Sequence, residues 1–197
     1  MSHKENLISD YIEKSIRTKK ELQKTRVEVI ARIAEVIVDA YRQGNKVLWF
    51  GNGGSAADAQ HLSCEMVSKF FLERKALASI ALTTNTSELT AIANDYDFSR
   101  VFVRQVEALV NSGDVVIGIS TSGNSPNVIE GIKEAKRLGA ITVAFTGATG
   151  GKLKEQVDFL LDVPSEITPH IQESHIMIGH VICYLVEKEL FKDQNEK

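Results

Sequence analysis

The chain has 197 residues, 43% hydrophobic and 25% charged, with a formal net charge of -3 at pH 7. That length fits one domain with a substantial buried core, and that charge leaves no basic footprint for nucleic acid. No apolar run approaches a bilayer span, and Met1-Ser2-His3-Lys4-Glu5-Asn6 does not read as a signal peptide, so the expectation is a cytoplasmic protein with no membrane partner.

Two cysteines, Cys64 and Cys183, read as free thiols in a reducing compartment. Residues 3–43 hold no Pro or Gly, which predicts one long helix or two in succession. Val29, Ile30, Ile33, Val36, Ile37 and Ala40 follow the helical period and form a buried face. Leu7 to Leu22 is sparser in apolar residues. It reads either as an arm that docks on another subunit or as a solvated helix on its own domain.

The apolar run Val47-Leu48-Trp49-Phe50 breaks into Gly51-Asn52-Gly53-Gly54-Ser55 and opens into a helix reaching about Phe71, with Ser55 as its expected N-cap. Such a turn presents free amides at a helix N-terminus, where anions and oxygen-rich groups bind, although tight connections of this kind also occur without a ligand. The pattern is neither a Walker A loop nor a G-x-G-x-x-G fingerprint. His61 and Glu65 stand one turn apart on the same helix face, as a ligand pair or an ordinary surface pair would.

Ala78 to Leu82 predicts a second strand, Glu88 to Ala93 a short helix ending at Asn94-Asp95, and Phe98 to Asn111 another helix. Val115-Val116-Ile117-Gly118-Ile119 has the unbroken apolar character of a central parallel strand. It delivers Ser120-Thr121-Ser122-Gly123-Asn124-Ser125, with Pro126 opening the next helix. Hydroxyls and free amides at a helix N-terminus suit a phosphate monoester, or else make an ordinary polar cap.

Val128 to Leu138 is then a helix, and Ile141 to Phe145 and Phe159 to Val163 are strands. Thr168-Pro169 reads as N-cap and first turn of a last helix reaching about Phe191, whose apolar surface includes Val181 and carries Gln172, His175 and His180. Gln172 and His180 are two turns apart, about 12 Å along the axis. Periodicity permits a shared metal site there without requiring one. The alternation of apolar runs and amphipathic helices specifies an α/β doubly wound parallel sheet, and ligands in such sheets bind outside the strand C-termini, where both polar loops fall.

The Gly51–Ser55 loop, His61 and Glu65, Asn94-Asp95, the Ser120–Ser125 loop, and Ile171-Gln172-Glu173-Ser174-His175 through His180 together resemble the sedoheptulose 7-phosphate isomerases of the sugar isomerase (SIS) domain superfamily. The resemblance implies a flavodoxin-like three-layer fold over residues 1–197, with 1–43 as a helical arm in a homotetramer. It implies that Ser120, Thr121, Ser122 and Ser125 hold the sugar phosphate. Asn52, Gly53, Gly54, Ser55, Asn94 and Asp95 would contact the sugar chain, together with Glu65 and Gln172. His61, Glu65, Gln172 and His180 match the family's zinc ligands, and Glu65 and His180 its acid–base pair.

The implied reaction converts sedoheptulose 7-phosphate to a heptose 7-phosphate for lipopolysaccharide core or surface glycan. Cys64 is as well placed as Glu65 to meet a metal, and only the resemblance favours Glu65. The chain departs from the family pattern at Lys69 and His170, where Arg is expected, and Arg and Lys differ at bidentate contacts. Two other readings of the fold are a non-catalytic SIS tetramer that binds the bacterial replication initiator and a phosphosugar sensor. The presence of both Glu65 and His180 favours an enzyme.

Overall fold

A computed structural model describes residues 2–192. Two helices open the chain, α1 (His3–Thr25) and α2 (Val27–Arg42). They part at Arg26, whose Nε and Nη2 each donate to the Asp162 carboxylate at 2.8 Å. That long-range pair fixes a break which no Gly or Pro marks.

The α/β body follows in the order β1 (Val47–Gly51), α3 (Gly54–Val67), β2 (Ser79–Ala81), α4 (Thr86–Asp95), α5 (Val101–Leu109), β3 (Val115–Ile119), α6 (Pro126–Arg137), β4 (Ile141–Thr146), β5 (Phe159–Asp162) and α7 (Thr168–Leu190). Short 3₁₀ turns occupy Phe98–Arg100 and Gly151–Glu155, so the helix expected over 98–111 begins as a 3₁₀ turn. The sheet is parallel throughout, in the order β2-β1-β3-β4-β5.

Helices cover both faces. One buried cluster joins α2, α3 and α7 to the sheet through Ile33, Ile37, Trp49, Leu62, Ile117, Phe145 and Ile178. The other joins α5 and α6 to it through Phe50, Phe102, Val116, Val128 and Ile132. Each fully buried side chain of this size contributes about 1.5–3 kcal/mol. Val181, expected in the core, is 40% exposed and lines an open groove with Ile16 and Leu22 of α1.

The strand order reverses between β1 and β3, which lie side by side with Gly51 opposite Ile119. At such a switch point the loops leaving two neighbouring strands splay apart and open a crevice. The loops concerned are Asn52–Gly53 and Ser120–Ser125. The fold therefore brings the two polar loops of the sequence to one edge of the sheet.

Candidate active site

The first loop ends in Gly53, whose φ of 56° is a left-handed value that glycine adopts freely, and α3 begins at Gly54. Ser55 is thus inside the first turn, buried, and makes no capping hydrogen bond; the expected N-cap role belongs to Gly53. Helix α7 likewise starts one residue early, at Thr168, with Ile167 as N-cap and no side-chain cap.

Asn52 forms a reciprocal amide pair with Asn127, each Nδ2 donating to the other's Oδ1 at 2.9 Å. The pair ties the β1 loop to the start of α6. Asn127 is buried, and its Oδ1 also accepts from the Val128 amide. Nothing in the residue order marks Asn127, so sequence reasoning passed it over.

In the second loop Ser125 is the N-cap residue of α6, yet its hydroxyl makes no cap; Oγ lies 3.0 Å from Oγ of buried Ser120. Ser122 is exposed, and its Oγ accepts from the Asn124 amide. Gly123 takes φ 65° and lies so close to Gly150 that a Cβ would meet its carbonyl oxygen at 2.1 Å. A groove of about 270 Å³ alongside is lined by hydroxyls and amides of Thr121, Ser122, Asn124, Thr149, Ser165 and Thr168, together with Glu166, Ala148 and Ile171.

Three charge-bearing side chains converge behind the first loop. Nε2 of His61 is 3.1 Å from Oε1 of Glu65 and 3.1 Å from Nε2 of His180. The three ligand atoms lie within 4.8 Å of one another. Two imidazole nitrogens and a carboxylate oxygen are a donor set that could hold a divalent cation such as zinc, and the open sides of His61 and His180 leave room for a further ligand. Cys64 is exposed and outside this group.

Gln172 stands over the first loop: a Cβ on Gly54 would come within 2.6 Å of its Nε2. It therefore sits at the loop end of the crevice while His180 sits two turns further along α7. Asn94 and Asp95 end α4, exposed, with Asn94 Nδ2 donating to Asp95 Oδ1 at 2.9 Å. Among the described residues no hydrogen bond joins them to the other site residues.

Lys69 pairs with Glu73 at 2.6 Å, whereas His170 is buried under Tyr11 with Nδ1 3.1 Å from Glu173. Asp58, one turn before His61, has a buried Oδ2 with no partner, and burial pushes its pKa up to about 6, against the opposing charge of His61.

Residues 10–147 match the family described as SIS domain. The phosphoheptose isomerase of Clostridium acetobutylicum is 54% identical over 191 residues, covering 96% of this chain and 97% of the relative. The chain belongs to the phosphoheptose isomerase family of SIS-domain proteins. Solved phosphoheptose isomerase structures agree: that from Neisseria gonorrhoeae superposes with a TM-score of 0.89 at 44% identity over 93% of this chain and 98% of the other. The one from Francisella tularensis gives 0.92 at 37% identity over 95% and 100%. Membership in this SIS-domain family bears out the expected α/β architecture with its parallel five-stranded sheet.

Proposed function

We propose that this protein is a phosphoheptose isomerase that converts sedoheptulose 7-phosphate to D-glycero-D-manno-heptose 7-phosphate through an enediol. The observation that carries the reading is the convergence of Glu65, His61 and His180 beside two polar loops at the sheet's switch point. Moving a carbonyl from C2 to C1 requires a base to lift a proton from C1 and an acid to return one at C2. Glu65 is the base, and His180 is the acid or shuttle.

His61, with Nε2 3.1 Å from both, links them, so the proton Glu65 gains can return to His180 after turnover. Groups of this kind each contribute about 10²–10⁴-fold in rate. Ser120, Thr121, Ser122 and Ser125 hold the phosphate by hydroxyls and by amides at the N-terminus of α6. Asn52, Gly53, Gly54, Ser55, Asn94 and Asp95 contact the sugar chain, and Asn127 keeps Asn52 in register.

Zinc is the proposed metal, held by His61, Glu65 and His180 with Gln172 as a fourth ligand. When bound it would polarise the substrate carbonyl as a Lewis acid. Ligation and proton transfer compete for the same lone pairs on Glu65, His61 and His180, and the proton-transfer role is the essential one.

The proposed assembly is a homotetramer, with residues 1–197 as one SIS domain and 1–43 as its helical arm. Exposed Leu7, Ile8, Tyr11 and Ile12 on α1 support it, because a free helix gains nothing from an apolar stripe in water. No helix among the described residues is long and apolar enough to cross a membrane. The proposed place of the enzyme is the cytoplasm, where it supplies heptose for lipopolysaccharide core or another glycan.

The test is a comparison of ketose phosphates with five, six and seven carbons, with aldose product separated by chromatography. A kcat/KM highest for sedoheptulose 7-phosphate supports the reading; no aldose from any of the three overturns it.

A further inference from the structure

Beyond the reacting groups, one buried ion pair touches the supports of both. Glu187, on α7 two turns past His180, is 2% exposed, and its carboxylate is saturated. Oε1 accepts from the amides of Phe71 at 2.7 Å and Leu72 at 2.9 Å. Oε2 accepts from the Phe70 amide at 3.1 Å and from Arg74 Nε at 2.9 Å. Residues 68–78 have no helix or strand to satisfy their amides, so this one carboxylate organises the loop.

Arg74 extends the network back to α3. Its Nη2 donates to the main-chain oxygen of Glu65 at 3.0 Å and its Nη1 to that of Met66 at 2.8 Å. These carbonyls lie in the last turn of the helix, where they lack helical partners and where a cation is favoured. Meanwhile the Phe70 ring, whose amide Glu187 holds, lies 5.7 Å from the His180 ring. The pair thus grips Glu65 by its backbone and His180 by its aromatic neighbour.

We propose that Glu187 and Arg74 are positioning residues that set the separation of Glu65 and His180. Fixing two reacting groups relative to each other lowers the barrier without adding substrate contacts, so the expected signature is in kcat and not in KM. The proposal rests on the isomerase reading for its kinetic arm and on geometry alone for its spectroscopic one.

The test compares wild type, E187Q, R74K and F70L. Folding is checked by circular dichroism, and the histidine rings are followed by nitrogen-15 NMR. In folded E187Q, kcat falls about 10–100-fold with KM within about twofold, and the His180 ring resonances shift while those of His175 hold. R74K, which keeps the charge but loses the fork, falls between it and wild type.

Should E187Q fail to fold, F70L leaves the ion pair intact and must still shift His180 and lower kcat. Wild-type kcat in folded E187Q, or in F70L in that case, overturns the proposal. Should wild type prove inactive, the isomerase reading falls by itself. His180 resonances unmoved in E187Q would then overturn the positioning role separately.

Discussion

His61 and His180 stand 119 residues apart in the chain, yet their Nε2 atoms approach to 3.1 Å. The contact spans α3 and α7, which cross with Gly179 against Leu62; a Cβ there would meet a Leu62 methyl at 2.4 Å. Close approach of the two helices is thus a precondition for the site, and its chemistry follows from what they carry.

Replacing either acid–base residue removes proton transfer but leaves the fold, because both side chains lie at the open edge of the helix pair. E65Q and H180Q each lower kcat about 10²–10⁴-fold, measured by aldose formation, with an unchanged melting temperature. Turnover within tenfold of wild type in either would remove that residue from the mechanism.

The phosphate loop acts on binding. Neutral hydrogen bonds contribute about 1 kcal/mol each, so S120A/S125A raises KM for the phosphosugar about 10–30-fold and leaves kcat near its wild-type value. The 3.0 Å contact between the two hydroxyls is lost as well, which is why both are changed together. An unchanged KM would place the phosphate elsewhere.

Gly54 tests the role of Gln172. An alanine methyl there displaces the Gln172 amide, which stands 2.6 Å away, while improving local helix propensity by up to about 1 kcal/mol. G54A therefore keeps or gains thermal stability and loses about tenfold in kcat/KM. Full activity would show that Gln172 need not occupy its present position.

Acid sensitivity resides in His175. Burial lowers its pKa from 6.5 to about 4, and Nε2 donates to the Thr146 carbonyl at 3.0 Å. Between those two pH values the unfolded chain binds a proton that the folded protein refuses, so stability falls as pH drops, by about 2–3 kcal/mol at pH 4.5. H175Q keeps a donor for Thr146 and removes the titration. Its urea midpoint should change less between pH 7 and 4.5 than that of wild type; equal slopes would contradict this.

Much of the sheet was legible because its strands are covered on both faces. Val115–Ile119 and Ile141–Phe145 are apolar at every position or nearly so, a pattern that surface strands do not show. Helix starts were less so. Ser55 and Thr168 carry the side chains of caps, but Gly53 and Ile167 take the cap position, because the glycine turn and the Ile167 backbone let each helix begin earlier.

Within the site, the one-turn spacing of His61 and Glu65 was readable, whereas His180 was tied to them only by resemblance to a family. Helical period cannot specify how α7 crosses α3. The Arg74–Glu187 pair and the unpartnered Asp58 oxygen were invisible for the same reason: each depends on where an irregular loop or a distant helix comes to rest.

The most direct test of the enediol account is proton NMR of sedoheptulose 7-phosphate with the protein in D2O, before and after chelation and after zinc is returned. Proton transfer through Glu65 and His180 gives a heptose 7-phosphate bearing solvent deuterium at C2, and E65Q and H180Q make far less of it. An aldose formed with protium retained at C2, or no aldose under any metal condition, would contradict proton transfer through Glu65 and His180.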